Sequence, residues 1–266
     1  MAESVARRAH LNLVESSRLL SELDPGAEIE VGDGWLFSAG SADNPLITNA
    51  AFRADDGLEP AELLGRAREF FSGLGRGFTV WARGGLPEDR ELISVAEAAG
   101  FRNVYEMPEM TLAGRAEEPP LADRVAIRPL ARAEDAEAYW RIAAAAYADV
   151  GFPPEVFSFY EGLEQLVAPG SEALAFLADF DGAPVAIAMT IVNHGIAGIY
   201  WVGNLAEARG RGIGRAVTAA AMNAGFDLGA DLASLQASPM GEPVYRAMGY
   251  ETIYDYRLLL SPAPEA

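Results

Sequence analysis

An α/β fold of two tandem units, each a mixed and mostly antiparallel sheet flanked by helices, is what this sequence predicts, and three observations carry the prediction. Strand-like and helix-like stretches alternate along the whole chain. A charged, proline-paired segment, Gly114-Arg115-Ala116-Glu117-Glu118-Pro119-Pro120, breaks the alternation near the middle. Finally, Gly100-Phe101-Arg102-Asn103-Val104-Tyr105-Glu106 matches Gly249-Tyr250-Glu251-Thr252-Ile253-Tyr254-Asp255 in its glycine, aromatic, β-branched, tyrosine and acidic positions, at an offset of 249 − 100 = 149 residues. Each copy follows a helix, a strand and a helix, the signature of a duplicated unit. With 266 residues there is chain enough for two domains. The expected division is residues 1–113, a linker at 114–124, and residues 125–266.

The elements follow from local pattern. Leu11, Val14, Leu19 and Leu20 recur near helical spacing between Val5 and Leu23, and Pro25-Gly26 stops that helix. Strands are expected at Trp35–Ala39 and Ile47–Arg53, a helix opened by Pro60 and running to Phe71, and a strand at Phe78–Arg83. Pro87 opens a helix ending at Gly100, and Val104–Leu112 is extended. In the second half Val125–Pro129 is a strand, Ala133–Tyr147 a helix, and Gly151 to Val167 a loop with a helix. Leu174–Phe180 and Pro184–Val192 flank Asp181-Gly182, a hairpin dipeptide because both residues tolerate positive φ. Gly198–Val202 adds a third strand. A helix over Gly214–Leu228, a strand over Leu232–Ala237, a helix near Glu242–Met248 and two closing strands complete the unit.

Composition excludes several chemistries. The formal net charge of −19 argues against nucleic-acid binding, which needs clustered Lys and Arg. The absence of cysteine excludes disulfides, thiolate metal sites and a cysteine acyl-enzyme. His10 and His194, the two histidines, are too few for a histidine-rich metal site, so no metal is expected. The N-terminal stretch intersperses charge with apolar residues, unlike a secretory signal. The longest apolar run, Ala183 to Val192, is too short to span a bilayer. A soluble cytoplasmic protein without membrane or nucleic-acid partners is expected, and homodimerisation is left open.

Against that acidic background one basic run stands out. Glu207-Ala208-Arg209-Gly210-Arg211-Gly212-Ile213-Gly214-Arg215 follows the apolar strand and opens an alanine-rich helix. Glycines let a backbone approach an anion closely, and the first N–H groups of a helix have no internal partners. The run therefore reads as a diphosphate cradle, with the arginines adding charge. At the corresponding place the first half has Arg53-Ala54-Asp55-Asp56-Gly57-Leu58-Glu59-Pro60, whose three carboxylates would repel a diphosphate. Four residues before the shared glycine, the second half has Tyr245 and the first has Ala96. The first half is therefore expected to lack a cradle and to serve as a structural or acceptor-shaping partner.

The spacing Arg209-x-x-Gly212-x-Gly214, with Val244-Tyr245-Arg246-Ala247-Met248-Gly249-Tyr250 downstream, resembles the GCN5-related N-acetyltransferase (GNAT) family from about Val125 to Leu260. In the first half Pro45-x-x-x-Asn49, Trp81, Gly100-Phe101 and Met107-Pro108-x-Met110 resemble the N-terminal region of tandem GNAT proteins. The resemblance implies two tandem GNAT domains, the first degenerate, with acetyl-CoA as cosubstrate. It implies that the backbone of Arg209, Gly210, Arg211, Gly212, Ile213 and Gly214 holds the CoA diphosphate, with the side chains of Arg209, Arg211 and Arg215 adding charge. Val202, Gly203, Asn204 and Leu205 would hold the pantetheine arm, with an N–H near Val202 or Gly203 facing the developing oxyanion. Asn204 departs from the aliphatic residue usual in the family and would bear on acyl choice. Tyr245 matches the family tyrosine that protonates the leaving thiolate, and a phenol is protonated at neutral pH.

Direct acetyl transfer from acetyl-CoA to the primary amine of a small molecule is the function these features imply. The amine must first lose a proton, and His194, Glu155, Glu161 and Glu242 are not ranked as its acceptor. The stretch Val150 to Leu166, with Phe152, Phe157, Phe159, Tyr160 and Glu161, suits either a cationic acceptor or a helix packed on the core. The alternatives are a non-catalytic acyl-CoA-binding regulator, a protein or peptide acetyltransferase, and an amino-sugar acetyltransferase similar to mycothiol synthase.

Overall fold

The computed structural model describes residues 3–148, 151–154, 156, 157, 162, 163, 167, 168 and 170–262. In the first half, helix α1 (Val5–Ser21) precedes strands β1 (Glu28–Gly32), β2 (Trp35–Ala39) and β3 (Asn49–Arg53). Helix α2 (Pro60–Gly73), β4 (Thr79–Gly84), α3 (Pro87–Ala98) and β5 (Arg102–Ala113) follow. The second half runs β6 (Val125–Pro129), α4 (Ala133–Ala148), β7 (Ala173–Phe180), β8 (Ala183–Asn193) and β9 (Ile196–Asn204). After a 3-10 turn at Ala206–Ala208 come α5 (Ile213–Asp227), β10 (Leu232–Gln236), α6 (Glu242–Ala247) and β11 (Glu251–Leu260). Among the described residues no helix is long and apolar enough to cross a membrane.

Local chemistry sets these boundaries. Ser4 caps α1 by accepting from the Arg7 N–H at 3.2 Å. Pro60 and Pro87 open α2 and α3, where their missing N–H costs nothing. The β7–β8 turn forms at Asp181 and Gly182, with φ of 53° and 80°. β1, an exposed, glutamate-rich edge strand, is not among the expected elements, although Asp33-Gly34 before Trp35 is a hairpin signal for it.

All eleven strands form one sheet in the order β1-β2-β3-β4-β11-β5-β10-β9-β8-β7-β6. The halves have exchanged their last strands. β11 of the second half lies between β4 and β5 of the first, and β5 lies between β11 and β10 of the second. Here the expectation of two closing strands is corrected: a single strand follows α6, and β5 occupies the place of the other. The exchange is symmetric about the β5–β11 pair. Thr111 pairs with Glu251 and Arg102 with Leu260, and the 249 − 100 = 149 offset turns one pair into the other. The two residues skipped in this register, Val104 and Ile253, are also counterparts at that offset. The segment 114–124 does not hang free: the Ala116 N–H donates to Asn223 Oδ1 of α5 at 2.9 Å, and Asn223 Nδ2 returns a bond to the Ala116 carbonyl at 3.1 Å.

Helices cover both faces. On one, α1 and α4 bury Leu13, Leu20, Tyr139 and Ile142 against Tyr200, Tyr254 and Tyr256. On the other, α2 and α3 cover the first-half strands, and α5 covers the second with Ile213, Val217 and Met222. Each such fully buried aliphatic side chain contributes about 1.5–3 kcal/mol. Small residues bring α5 close: a Cβ on Gly225 would lie 2.5 Å from Ala197 Cβ of β9.

Candidate active site

Two parallel pairs in the sheet, β3–β4 and β9–β10, are short. β9 and β10 pair only from Ile196 and Leu232 to Gly198 and Ser234, then part. Into the gap opens a cavity of about 750 Å³, lined from both faces of the sheet. Gly214 and Thr218 of α5, with Arg209, Gly210 and Tyr245, line its second-half end. Leu13 and Ser17 of α1, Ser38 of β2, and Asn44 and Thr48 of the β2–β3 loop line its first-half end.

The wall at β9 is shaped by a bulge. Between the pairs Met189–Tyr200 and Ile187–Gly203 the strand holds one residue too many, and Trp201 sits at φ 50°, in the left-handed region. Two tyrosines of α4 hold the bulge: Tyr139 donates to the Trp201 carbonyl at 3.4 Å and Tyr147 to the Val202 carbonyl at 3.3 Å. Because a trans peptide sets its C=O and N–H on opposite sides, the Val202 N–H faces away from Tyr139. Gly203 lies back in the ladder opposite Ile187, and a Cβ there would meet Ala146 Cβ at 2.9 Å, so the glycine lets α4 close on the strand.

The glycine run forms an open turn at the start of α5. Gly210 and Gly212 have φ of 72° and 76°, and a Cβ on either would meet nothing within 4 Å. Gly212 is the N-cap, and no side chain caps the helix through it. With its amide oriented to satisfy both neighbours, Asn204 donates to the Gly203 carbonyl at 3.0 Å and accepts from the Gly214 N–H at 3.3 Å. Its amide thus joins the end of β9 to the first turn of α5.

The expected site residues divide. Val202, Gly203, Asn204, Arg209, Gly210, Gly214 and Tyr245 line one cavity. Leu205 does not, and its N–H donates to the Val185 carbonyl at 2.9 Å. The Ile213 side chain is core. Arg211 is exposed and lies over the Phe180 ring at 4.9 Å. Gly212 and Arg215 are outside the lining, Arg215 Nε being buried without a hydrogen-bond partner among the described residues. Arg209 donates to the Asn204 carbonyl at 3.4 Å. Of the acceptor stretch, Phe152 lines the cavity, stacked on Tyr147 at 5.7 Å, and Phe157 is core. Val150, Glu155, Phe159, Tyr160, Glu161 and Leu166 lie outside the described residues.

Tyr245 is nearly buried, its ring packed on Gly241, where a Cβ would lie 2.8 Å from Cε2. Burial raises its hydroxyl pKa above the ordinary phenol value, so it stays protonated at neutral pH. Its first-half counterpart Ala96 is fully buried in the α2–α3 core.

At the first-half counterpart of the gap, β3 and β4 pair from Ala50 and Thr79 to Phe52 and Trp81. Just beyond lies an ion cluster. Arg53 Nη2 and Arg83 Nη2 contact Asp89 Oδ1 at 2.6 and 2.8 Å, Arg83 Nε donates to Asp89 Oδ2 at 2.9 Å, and Asp56 pairs with Arg83 and Arg7. Although burial works the other way, the Arg83 hydrogen bonds and charge hold the Asp89 carboxyl at about 2. His10 bonds to the Arg53 carbonyl through Nε2 at 2.9 Å and to Tyr256 through Nδ1 at 2.8 Å; burial, then Arg83, lowers its pKa to about 4.

Comparison with known proteins fits this geometry. An acetyltransferase (GNAT) domain model matches residues 115–238. Among solved structures, a GCN5-related N-acetyltransferase from Kribbella flavida is 25% identical with a TM-score of 0.73, the match covering 98% of this chain and 97% of that one. A GCN5-related N-acetyltransferase from Sphaerobacter thermophilus is 16% identical with a TM-score of 0.64, over 89% and 83%. A tandem GNAT protein from the clavulanic acid biosynthesis pathway, solved without acetyl-CoA, is 15% identical with a TM-score of 0.65, over 98% and 95%. No curated protein matches by sequence. The chain thus carries a GNAT acyltransferase domain over residues 115–238, set in a fold shared end to end with these GCN5-related N-acetyltransferase structures.

Proposed function

We propose that the chain transfers an acetyl group from acetyl-CoA directly to the primary amine of a small molecule, in the cavity at the β9–β10 gap. The observation that carries this is continuity. One cavity joins the open glycine turn of α5 to a chamber walled by polar side chains of the first half. The turn suits a diphosphate, since Gly210 and Gly212 leave the space above the backbone clear. Residues 1–113 are then a copy without a cradle that shapes the acceptor end, residues 125–266 carry the acyl-CoA site, and 114–124 join them.

Each residue's part follows from its place. Arg209 to Gly214 hold the diphosphate, and the end of β9 holds the pantetheine arm. The Val202 N–H polarises the thioester carbonyl as charge develops on its oxygen. Tyr245, neutral and cavity-lining, gives its proton to the departing thiolate.

Calorimetric titration with acetyl-CoA tests the reading. One site per chain is expected, lost in Arg209→Glu combined with Gly212→Asp while circular dichroism is unchanged. Two sites, or affinity retained in that variant, would place acyl-CoA elsewhere. Binding with no thiol release from any amine, peptide or amino sugar offered would identify an acyl-CoA-binding regulator instead.

A further inference from the structure

Two acids and bases weighed from the sequence are badly placed to take the acceptor's proton. Glu242 is tied to Arg246 at 2.7 Å, and His194 is exposed at the β8–β9 turn, its carbonyl bound by Arg8 at 2.9 Å. A carboxylate that the sequence reading passed over lies beside the cavity. Glu109 of β5 is 0% exposed and shares a face of the strand with Met107 and Tyr105, both cavity-lining. Directly opposite on β10 stands Gln236, another lining residue, whose Nε2 donates to Glu109 Oε2 at 2.6 Å. Glu109 Oε1 and the Ser234 hydroxyl, two residues before Gln236, are both buried and near enough to interact, but neither makes a well-formed hydrogen bond among the described residues.

The surroundings are neutral. Tyr254 and Tyr256 approach from β11 and Tyr200 from β9, and His10 of α1 reaches the group only through Tyr256. No ion pair to Glu109 forms among the described residues. A buried carboxylate held by one amide and a loosely placed hydroxyl, with no counter-charge, is costly, and such groups concentrate where a protonation change is used. Burial pushes its pKa up to about 8, so it exchanges its proton near neutrality.

We propose that Glu109 is the proton acceptor for acetyl transfer. The inference rests on the cavity being the acetyl-transfer site. The acceptor ammonium gives one N–H proton to the Glu109 carboxylate across a single water beside Gln236. The freed lone pair bonds to the thioester carbonyl carbon, the C–S bond breaks, and the thiolate takes the Tyr245 proton. The new amide nitrogen sheds its second proton to the Tyr245 oxygen, and Glu109 later returns its own to solvent. Amide, free thiol and one proton are the net products. The first half thus supplies the base, on its exchanged strand, to a site whose cradle and acid belong to the second.

Glu109→Gln keeps size and hydrogen bonding while removing the titration. Thiol release from acetyl-CoA is followed from neutral to alkaline pH, with water alone and with spermidine, glucosamine and phenethylamine as probe acceptors. The wild-type rate is expected to rise through an apparent pKa near 8. Glu109→Gln should lose that limb and turn over about a hundredfold more slowly, with its acetyl-CoA affinity unchanged. Glu109→Asp should recover the limb. A Glu109→Gln enzyme with the wild-type rate and pH limb would overturn the inference. So would an infrared difference between wild type and Glu109→Gln that puts the carboxyl's titration in the ordinary carboxylate range. Failure of the wild type to bind acetyl-CoA, or to release thiol with any of these acceptors, would overturn the functional reading and Glu109's role with it.

Discussion

Tyr245 and Glu109 differ in how their positions are fixed. Tyr245 is held by neighbours in sequence: Gly241 leaves room for its ring, and Tyr250 packs edge-on at 5.9 Å. On our proposal its hydroxyl acts only as the thiolate leaves. Tyr245→Phe should therefore lower kcat about a hundredfold while calorimetric acetyl-CoA affinity stays within about twofold. Equal losses in both would reassign the tyrosine to binding. A motif a few residues long sufficed to find it. Glu109 was out of reach of such reading, because its neighbours Gln236 and Tyr254 come from distant strands. On the linear chain it is one acid in an acidic sequence, and only the sheet order makes it a buried one.

At the scale of elements, the same strand pair is used in opposite ways. In the second half the gap between β9 and β10 is open and opposed by glycines. In the first, the region beyond the β3–β4 pairing is filled by Arg53, Arg83 and Asp89, all nearly inaccessible to solvent. The sequence shows carboxylates where the second half has its run of glycines and arginines, and repulsion of a diphosphate is what they imply. Their structural use is different: Asp56 pairs with Arg7 and Arg83, and Asp55 accepts from the Gly57 N–H at 2.8 Å within the turn. Arginines from β3 and β4 were invisible as partners because their meeting depends on strand pairing. Removing Asp89 would leave two buried guanidinium groups short of their counter-ion. Asp89→Ala should cost about 3–5 kcal/mol in denaturant unfolding, without changing the number of acetyl-CoA sites. A loss below about 1 kcal/mol would mean that water or Asp56 compensates.

For the molecule as a whole, the repeat was legible and the exchange was not. The matched stretches around Gly100 and Gly249 announced two related units, and the helices and strands before each were placed nearly as found. Which unit β5 and β11 complete is decided by pairing across 249 − 100 = 149 residues of chain, and no local signal reports it. Their interleaving makes one cooperative body of the chain, since neither half keeps a continuous sheet without the other's strand. Residues 1–120 and 121–266 produced separately should therefore be insoluble or unfolded, whereas their co-expression should give a soluble complex that binds acetyl-CoA. A soluble, acetyl-CoA-binding 121–266 fragment would refute this dependence.

The crossed strands also bear on how such a chain can change over generations. A duplicate that has lost its ligand site is ordinarily free to be deleted. Here deletion would remove the strand between β10 and β11, and on our reading the carboxylate it carries. On our reading the first half is thus tied to the second by its strand and by the acceptor end it walls, and only its surface away from the cavity can vary without touching that site.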